Sequence, residues 1–395
     1  LYTGRALHLQ DFPKRCEQND GYPLPQDSIP LHMWVILLFA LVPLAIGIEI
    51  MHLLDRYQAQ PFTGWQRLLA WVLILISPPM WDSLIFYGHY EQPLALYFGL
   101  LAVRFFAERP RPGEQQRLPG WAKMAISGML LGLALLCRTS ASFTVIPLAL
   151  VVLFDIVRDQ GQRWQRLGEG LAWGSTLLAT VVLILLPFYL HDRAHLTFSL
   201  LTFRARLGIG DGSLWTFAIG TPWELRVQAL DSTVGLVLAV VLSVTALLLG
   251  RVRGRNDPAL YAVICVATIC FSLSIKAVWG YYFADPLVWA LAWAATRQAL
   301  RARWWEPIIA TAFFAVVMIM TETRISIAPP GLPEAGWTRV IVLLESGAEF
   351  LGLFLVQLLL ITLLALRRPA EMPQTMGELS ALPVVNGWQA AESME

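Results

Sequence analysis

The chain has 395 residues, of which 56% are hydrophobic and 14% charged, and its formal net charge is +1. A soluble domain carries about 25% charged residues, so this composition predicts a membrane protein. The near-neutral charge gives no indication of nucleic-acid binding. The four cysteines predict neither a disulfide framework nor a metal site, because at least three lie in apolar segments without ligand spacing.

About eleven transmembrane helices are predicted, from apolar runs that are long enough, or nearly long enough, to cross the hydrocarbon core. In chain order they are 32–54, 66–81, 93–108, 121–137, 141–157, 168–189, 232–250, 258–275, 281–299, 305–321 and 338–366. We expect an all-α polytopic bundle with short exterior loops and an interfacial segment around 196–230. Its divisions are an exterior loop over 1–31, a transmembrane domain over 32–366 and a disordered cytoplasmic tail over 367–395.

Arginines set the predicted orientation, since they concentrate in the loops that follow the odd-numbered spans, and positively charged loops stay in the cytoplasm. Residue 1 is then exterior, so we expect the chain to be an N-terminal truncation that lacks one upstream span. The arginine-rich, lysine-poor composition favours a bacterial plasma membrane over the endoplasmic reticulum.

The predicted exterior loop S-P-P-M-W-D-S-L-I-F-Y-G-H-Y-E-Q-P, residues 77–93, carries Asp82, His89, Glu91 and Gln92. Ionisable groups at membrane depth are costly unless they are paired or face water, which makes them functional candidates. The alternative for Asp82 and Glu91 is helix capping, because carboxylates favour helix N-termini. An imidazole such as that of His89 donates to phosphates or polarises hydroxyls near neutral pH.

Cations and aromatic residues mark three further exterior segments: C-R-T-S with Arg138, F-R-A-R-L-G-I-G-D-G-S-L-W with Arg204 and Arg206, and K-A-V-W-G-Y-Y-F with Lys276, Tyr281 and Tyr282. Arginine forks and lysine ammonium groups both bind phosphate oxygens. The alternative is that these cations extend into the lipid headgroups beside an aromatic belt. The N-terminal loop adds Asp11 and Asp20, which are either functional or simply solvated.

These stretches resemble the GT-C superfamily of membrane glycosyltransferases, which use polyprenyl- or dolichyl-phosphate-linked sugars. The Y-G-H-Y-E-Q-P loop is similar to their loop ending in Gly-Gln-Phe-Asp or Gly-His-Phe-Gln, and G-M-L-L-G-L-A-L-L-C-R-T-S is similar to their next helix, which a cation often ends. G-Y-P-L-P, residues 21–25, resembles their Tyr-Pro-Pro element. The family's catalytic aspartate normally lies ahead of that element, which leaves Asp11 or Asp20 as substitutes.

The resemblance implies transfer of mannose or glucose from a polyprenyl phosphate to a lipid-linked or glycan acceptor on the non-cytoplasmic face. We predict Asp11, Asp20 or Glu91 as the general base, and substrate binding by Asp82, His89, Gln92, Arg138, Arg204, Arg206, Lys276, Tyr281 and Tyr282. A single base predicts inversion at the sugar, and we expect no metal and no cofactor.

Two alternative functions remain open. A transporter or lipid flippase is suggested by Glu345 and Glu349, which share a helical face in the last span. The other alternative is a non-catalytic scaffold, or a pseudoenzyme that has lost its base.

Overall fold

The computed structural model describes residues 29–54, 68, 80, 89–107, 118–198, 209, 214–218, 221–275, 280–299 and 337–366. Within these ranges all regular structure is helical. The helices are α1 (Ile29–Phe39), α2 (Leu41–Leu54), α3 (Glu91–Phe106), α4 (Gly120–Cys137), α5 (Ser142–Arg158), α6 (Arg163–His191), α7 (Arg193–Thr197), α8 (Glu224–Leu249), α9 (Ala259–Ser274), α10 (Ala284–Ala299) and α11 (Trp337–Ala365).

Four helical segments in the described part of the chain are long and apolar enough to cross a membrane: Met33–His52, Gly120–Cys137, Thr139–Arg158 and Gln160–His191. Shorter apolar helices cover Thr233–Leu249, Ala259–Ser274 and Leu351–Ala365. The predicted spans 66–81 and 305–321 fall on residues outside the description, apart from single positions in the first. The all-helical prediction is therefore confirmed for the described residues, and the total of eleven spans stays a prediction.

One boundary differs clearly from the sequence-based expectation. Helix α8 begins at Glu224, inside the stretch 196–230 that was expected to be interfacial, and runs without a break to Leu249. Glu224 in the first turn favours a helix start at this point, because a carboxylate there interacts with the helix dipole. The predicted span 232–250 therefore forms only part of a 26-residue helix.

Helix α9 is the centre of the bundle. Every residue from Ala259 to Ser274 is buried, and α9 packs against α5, α8, α10 and α11. A helix that is apolar on all sides suits such a position. Helix α6 contrasts with it, because it lies at the periphery and exposes large apolar side chains such as Leu171, Leu183 and Leu190.

Helix α6 joins the bundle through close contact with α4. A Cβ atom added at Gly128 would overlap the carbonyl oxygen of Trp173, and one at Gly132 would lie 2.9 Å from Cβ of Thr180. The Thr176 hydroxyl also donates to the carbonyl of Ala125, at 2.9 Å. Small residues at such contacts let two membrane helices approach closely.

The end of the bundle that the charge pattern places in the cytoplasm is held together by buried ion pairs. Arg255, whose side chain is 4% exposed, contacts Asp155 on α5 at 3.1 Å and Glu169 on α6. Arg104 on α3 contacts Glu49 on α2 at 2.9 Å. These contacts join neighbouring helices at the end opposite to the polar cluster that follows.

Candidate active site

Three chain segments bring polar side chains together at one end of the bundle, the end predicted to be exterior. They are the start of α3, the turn Thr139–Ala141 between α4 and α5, and the start of α10. Pro93 and Pro286 each occupy the third position of their helix. Proline is tolerated in a first turn because its missing N–H has no partner there. The hydrogen bond between Gln92 and Asp285 places the two first turns side by side.

Glu91 opens α3 and contacts two predicted site residues. Nδ1 of His89 lies 2.7 Å from Oε1 of Glu91. The Arg138 guanidinium donates to the same oxygen across 3.5 Å. Arg138 follows the last residue of α4 in extended conformation and is 8% exposed. The loop before α3 and the end of α4 thus meet at a single carboxylate.

Gln92 and Asp285 form a second part of the cluster. The Gln92 amide donates a hydrogen bond of 2.7 Å from Nε2 to Oδ1 of Asp285. The Ser140 hydroxyl donates to Oδ2 of the same carboxylate at 3.4 Å. Oε1 of Gln92 is buried and accepts no hydrogen bond from the residues that the structure describes. Asp285 therefore fixes which way the amide of Gln92 points.

An aromatic group supports Arg138 from the inner side of the bundle. Its guanidinium lies over the Tyr282 ring, 4.7 Å from the ring centre, which is cation–π distance. The Tyr282 ring packs edge-on against Phe271 of α9, and Phe271 packs against Phe143 of α5. This aromatic packing restricts where the Arg138 guanidinium, and therefore its charge, can lie.

The large predicted exterior loop reaches the same end of the bundle. The indole N–H of Trp215, in the short 3-10 helix Leu214–Ala218, donates to the carbonyl oxygen of Ser274 at 2.7 Å. That carbonyl belongs to the last turn of α9, where backbone acceptors lack helical partners. The hydrogen bond caps α9 and anchors this turn of the loop close to Phe271.

The structure brings together five of the predicted site residues: His89, Glu91, Gln92, Arg138 and Tyr282. Asp11, Asp20, Asp82, Arg204, Arg206 and Lys276 lie outside the described residues, as does the side chain of Tyr281.

Sequence reasoning did not include Asp285 and Ser140 among the site residues. A signal existed for Asp285, because A-D-P opens α10 as E-Q-P opens α3, with a polar residue before proline in both first turns. Ser140 follows Arg138 by two positions and carried no signal of its own.

Glu91 lies outside the predicted span 93–108. Burial and the neighbouring charges shift the pKa of its carboxyl in opposite directions. Burial raises the pKa of this carboxyl, but the hydrogen bond from His89 and the nearby charges of His89 and Arg138 outweigh that effect. The net pKa is lower than the ordinary value of 4.5. Glu91 is therefore ionised at neutral pH and attracts both His89 and Arg138.

Residues 90–203 match the family model of dolichyl-phosphate-mannose-protein mannosyltransferase, PMT. PMT is a glycosyltransferase family of the GT-C type, so the resemblance drawn from the sequence is confirmed. The apolar helices together with the PMT match support an integral membrane protein. No curated protein and no solved structure matches the chain.

The PMT match contains Glu91, Gln92, Arg138 and Ser140, whereas Tyr282 and Asp285 lie beyond it. The cluster combines a buried guanidinium, an imidazole, two carboxylates and an amide. A guanidinium is a side chain able to bind anions, an imidazole or a carboxylate is able to accept protons, and an amide is able to hydrogen-bond hydroxyl groups. Within the described ranges, no three histidine, cysteine, aspartate or glutamate side chains gather as metal ligands would.

Proposed function

We propose that this chain moves a hexose, with mannose as the first candidate, from a polyprenyl-phosphate donor to an acceptor hydroxyl on the non-cytoplasmic membrane face. The acceptor is a lipid-linked molecule or a glycan, and the membrane is a bacterial plasma membrane. One observation carries the proposal: Arg138 and Glu91 lie 3.5 Å apart at the predicted exterior end, inside the segment that matches PMT.

Arg138 stabilises the leaving phosphate in this proposal. Negative charge grows on the phosphate as its bond to the sugar breaks, and a fixed cation in a partly dry site stabilises that charge strongly. The Tyr282 ring restricts the guanidinium to one position, so little reorganisation is needed when the charge develops. Arg204, Arg206 and Lys276 are proposed as further contacts to the lipid phosphate.

The acceptor hydroxyl needs a base that removes its proton as it attacks the sugar carbon. Glu91, which lies beside Arg138, is proposed as this base, with Asp11 and Asp20 as alternatives and His89 as a contact to the substrate. Gln92, Asp82, Tyr281 and Tyr282 are assigned to the sugar and the acceptor. A single displacement with one base inverts the sugar configuration, and no step in it requires a metal ion.

The test uses the full-length protein in proteoliposomes with radiolabelled polyprenyl-phosphate mannose, glucose and other sugars, supplied with lipid-linked, glycan and peptide acceptors. We expect transfer from one donor. Arg138→Ala is expected to lower kcat by roughly 100- to 1000-fold, and Arg138→Lys to recover part of that loss. Arg163→Ala, which removes an exposed cation at the start of α6, is the matched control and should leave the rate unchanged.

Two results would overturn the proposal. One is the absence of transfer with every donor by a folded wild-type protein. The other is an Arg138→Ala variant that transfers at the wild-type rate. The transporter alternative places Glu345 and Glu349 one turn apart in α11, and uptake of the labelled lipid without sugar transfer would support it instead.

A further inference from the structure

Asp285 is held at the predicted exterior end of the bundle by two uncharged donors. The Gln92 amide donates to Oδ1 at 2.7 Å, and the Ser140 hydroxyl donates to Oδ2 at 3.4 Å. Both donors are almost fully buried, since Gln92 is 1% and Ser140 2% exposed. Asp285 itself is partly exposed. Each carboxyl oxygen is therefore oriented by a buried donor, while the group stays within reach of a ligand.

Asp285 and Gln92 have more hydrogen-bonding capacity than these contacts use. The two oxygens of an ionised carboxylate offer about four acceptor positions, and a protonated carboxyl group keeps part of that capacity. Oε1 of Gln92 is a buried acceptor that receives no hydrogen bond within the described part of the chain. Such an acceptor is unfavourable, and a bound water or a functional role explains it where it occurs. The pair therefore offers acceptors suited to hydroxyl groups.

The position of this pair relative to Arg138 indicates which hydroxyl groups it meets. Ser140 follows Arg138 by two positions. The Tyr282 ring, whose centre lies 4.7 Å from the Arg138 guanidinium, precedes Asp285 by three positions. The charge of Arg138 also acts on the Asp285 carboxyl group. In the proposed reaction Arg138 holds the donor phosphate, and the hexose is bonded directly to that phosphate. The sugar ring therefore lies on the Asp285 side of Arg138.

We propose that Asp285 accepts a hydrogen bond from a hydroxyl group of the donor hexose, with Gln92 and Ser140 as the residues that orient its carboxyl group. This inference rests on the proposed glycosyltransferase function. A site built to hydrogen-bond a substrate hydroxyl rejects an analogue that lacks it, because the protein groups are left unpaired. Asp285 is thus a specificity-determining residue, and Gln92 and Ser140 are positioning residues that act through it.

The test combines Asp285→Asn with donors in which one hydroxyl group of the sugar at a time is replaced by hydrogen. It uses the full-length protein in proteoliposomes and the donor that the wild type transfers. Asparagine keeps an oxygen for the Gln92 N–H, so this variant should fold. One deoxy donor should lower the wild-type kcat/KM by roughly 10- to 100-fold, because hydrogen bonds to charged groups are among the strongest.

Asp285→Asn should lower kcat/KM for the complete donor by a similar factor, and the same deoxy donor should then cause little further loss. Ser140→Ala, which removes only the donor to Oδ2, should weaken the same preference to a smaller extent. Asp192→Asn, which changes an exposed aspartate at the end of α6, is the matched control. It should keep the wild-type preference for the complete donor.

A purely structural role for Asp285 would change kcat/KM by one common factor for every donor. That result in a folded Asp285→Asn variant would overturn the inference while the proposed function stands. A wild-type protein that transfers every deoxy donor as well as the complete donor would also overturn it, and this measurement needs no variant. Absence of transfer by the wild type would instead remove the proposed function.

Discussion

Gln92 donates a 2.7 Å hydrogen bond to Asp285, although the two residues lie 193 positions apart along the chain. The bond joins the first turn of α3 to the first turn of α10. Gln92 is 1% exposed, so its amide stays largely desolvated if the carboxylate is removed. Removing one buried partner lowers the free energy of unfolding by more than the net contribution of the hydrogen bond, because the remaining group stays desolvated.

Removing either partner should therefore lower stability, and removing both should cost less than the sum. We expect Gln92→Ala and Asp285→Ala each to lower the free energy of unfolding by about 1.5–3 kcal/mol. The double variant should reveal a coupling of roughly 0.5–3 kcal/mol. Thermal unfolding in detergent measures all four proteins. Gln162→Ala at an exposed position is the control, and strict additivity would contradict the prediction.

The Tyr282 ring should stabilise Arg138 through its face. Tyr282→Phe keeps the ring under the guanidinium and should retain the cation–π contact. Tyr282→Leu removes the cation–π contact and should cost about 0.5–2 kcal/mol beyond the loss of apolar area. Thermal unfolding of both variants, repeated in an Arg138→Met background, isolates the contact. Equal losses of stability in both backgrounds would show that the Tyr282 ring makes no stabilising contact with Arg138.

Glu91 should contribute a stability that depends on pH in a definite direction. Its folded pKa is lower than the ordinary value of 4.5, so the unfolded chain binds the proton more readily than the folded one. The contribution is fully present above pH 4.5 and is lost as pH falls through the folded pKa. Melting temperatures of wild type and Glu91→Gln, measured from about pH 3 to pH 7, should converge in acid. A constant difference would contradict this assignment.

At the opposite end of the bundle, Arg255 should be required for folding stability. It is buried between Asp155 and Glu169. Removing it takes one ion pair from each carboxylate, although Glu169 keeps its contact with Arg166 at 3.2 Å. Breaking a buried ion pair costs about 3–5 kcal/mol, so Arg255→Ala should unfold at a much lower temperature. Arg253→Ala removes an exposed arginine two residues away and should change stability by no more than about 0.5 kcal/mol. Similar losses in both variants would contradict the role of the buried pair.

The α4–α6 contact predicts opposite outcomes for two glycines. Gly128→Ala places a methyl group against the Trp173 carbonyl and should be destabilising, because backbone must move. Gly174→Ala has nothing within 4 Å of the new methyl group, and alanine is a better helix former by about 1 kcal/mol. It should leave stability unchanged or increase it. Unfolding in detergent distinguishes the two, and equal effects would show that the helices do not approach closely at Gly128.

Local sequence determined the positions of the helices and the polar character of their ends. Apolar length predicts a helix such as α4 or α9 because a membrane helix must satisfy its backbone hydrogen bonds within itself. The short motifs Y-G-H-Y-E-Q-P and C-R-T-S also carry the GT-C resemblance. The contact between Glu91 and His89 was within reach of sequence reasoning, because they lie only two positions apart.

Only the tertiary structure decided which apolar helix is central and which polar groups meet. Lipid tails and a protein core are equally apolar, so hydropathy does not distinguish the buried α9 from the exposed α6. The pairing of Gln92 with Asp285, and the placing of Arg138 between Glu91 and the Tyr282 ring, depend on how separate helices pack. No periodicity within a single segment encodes such contacts.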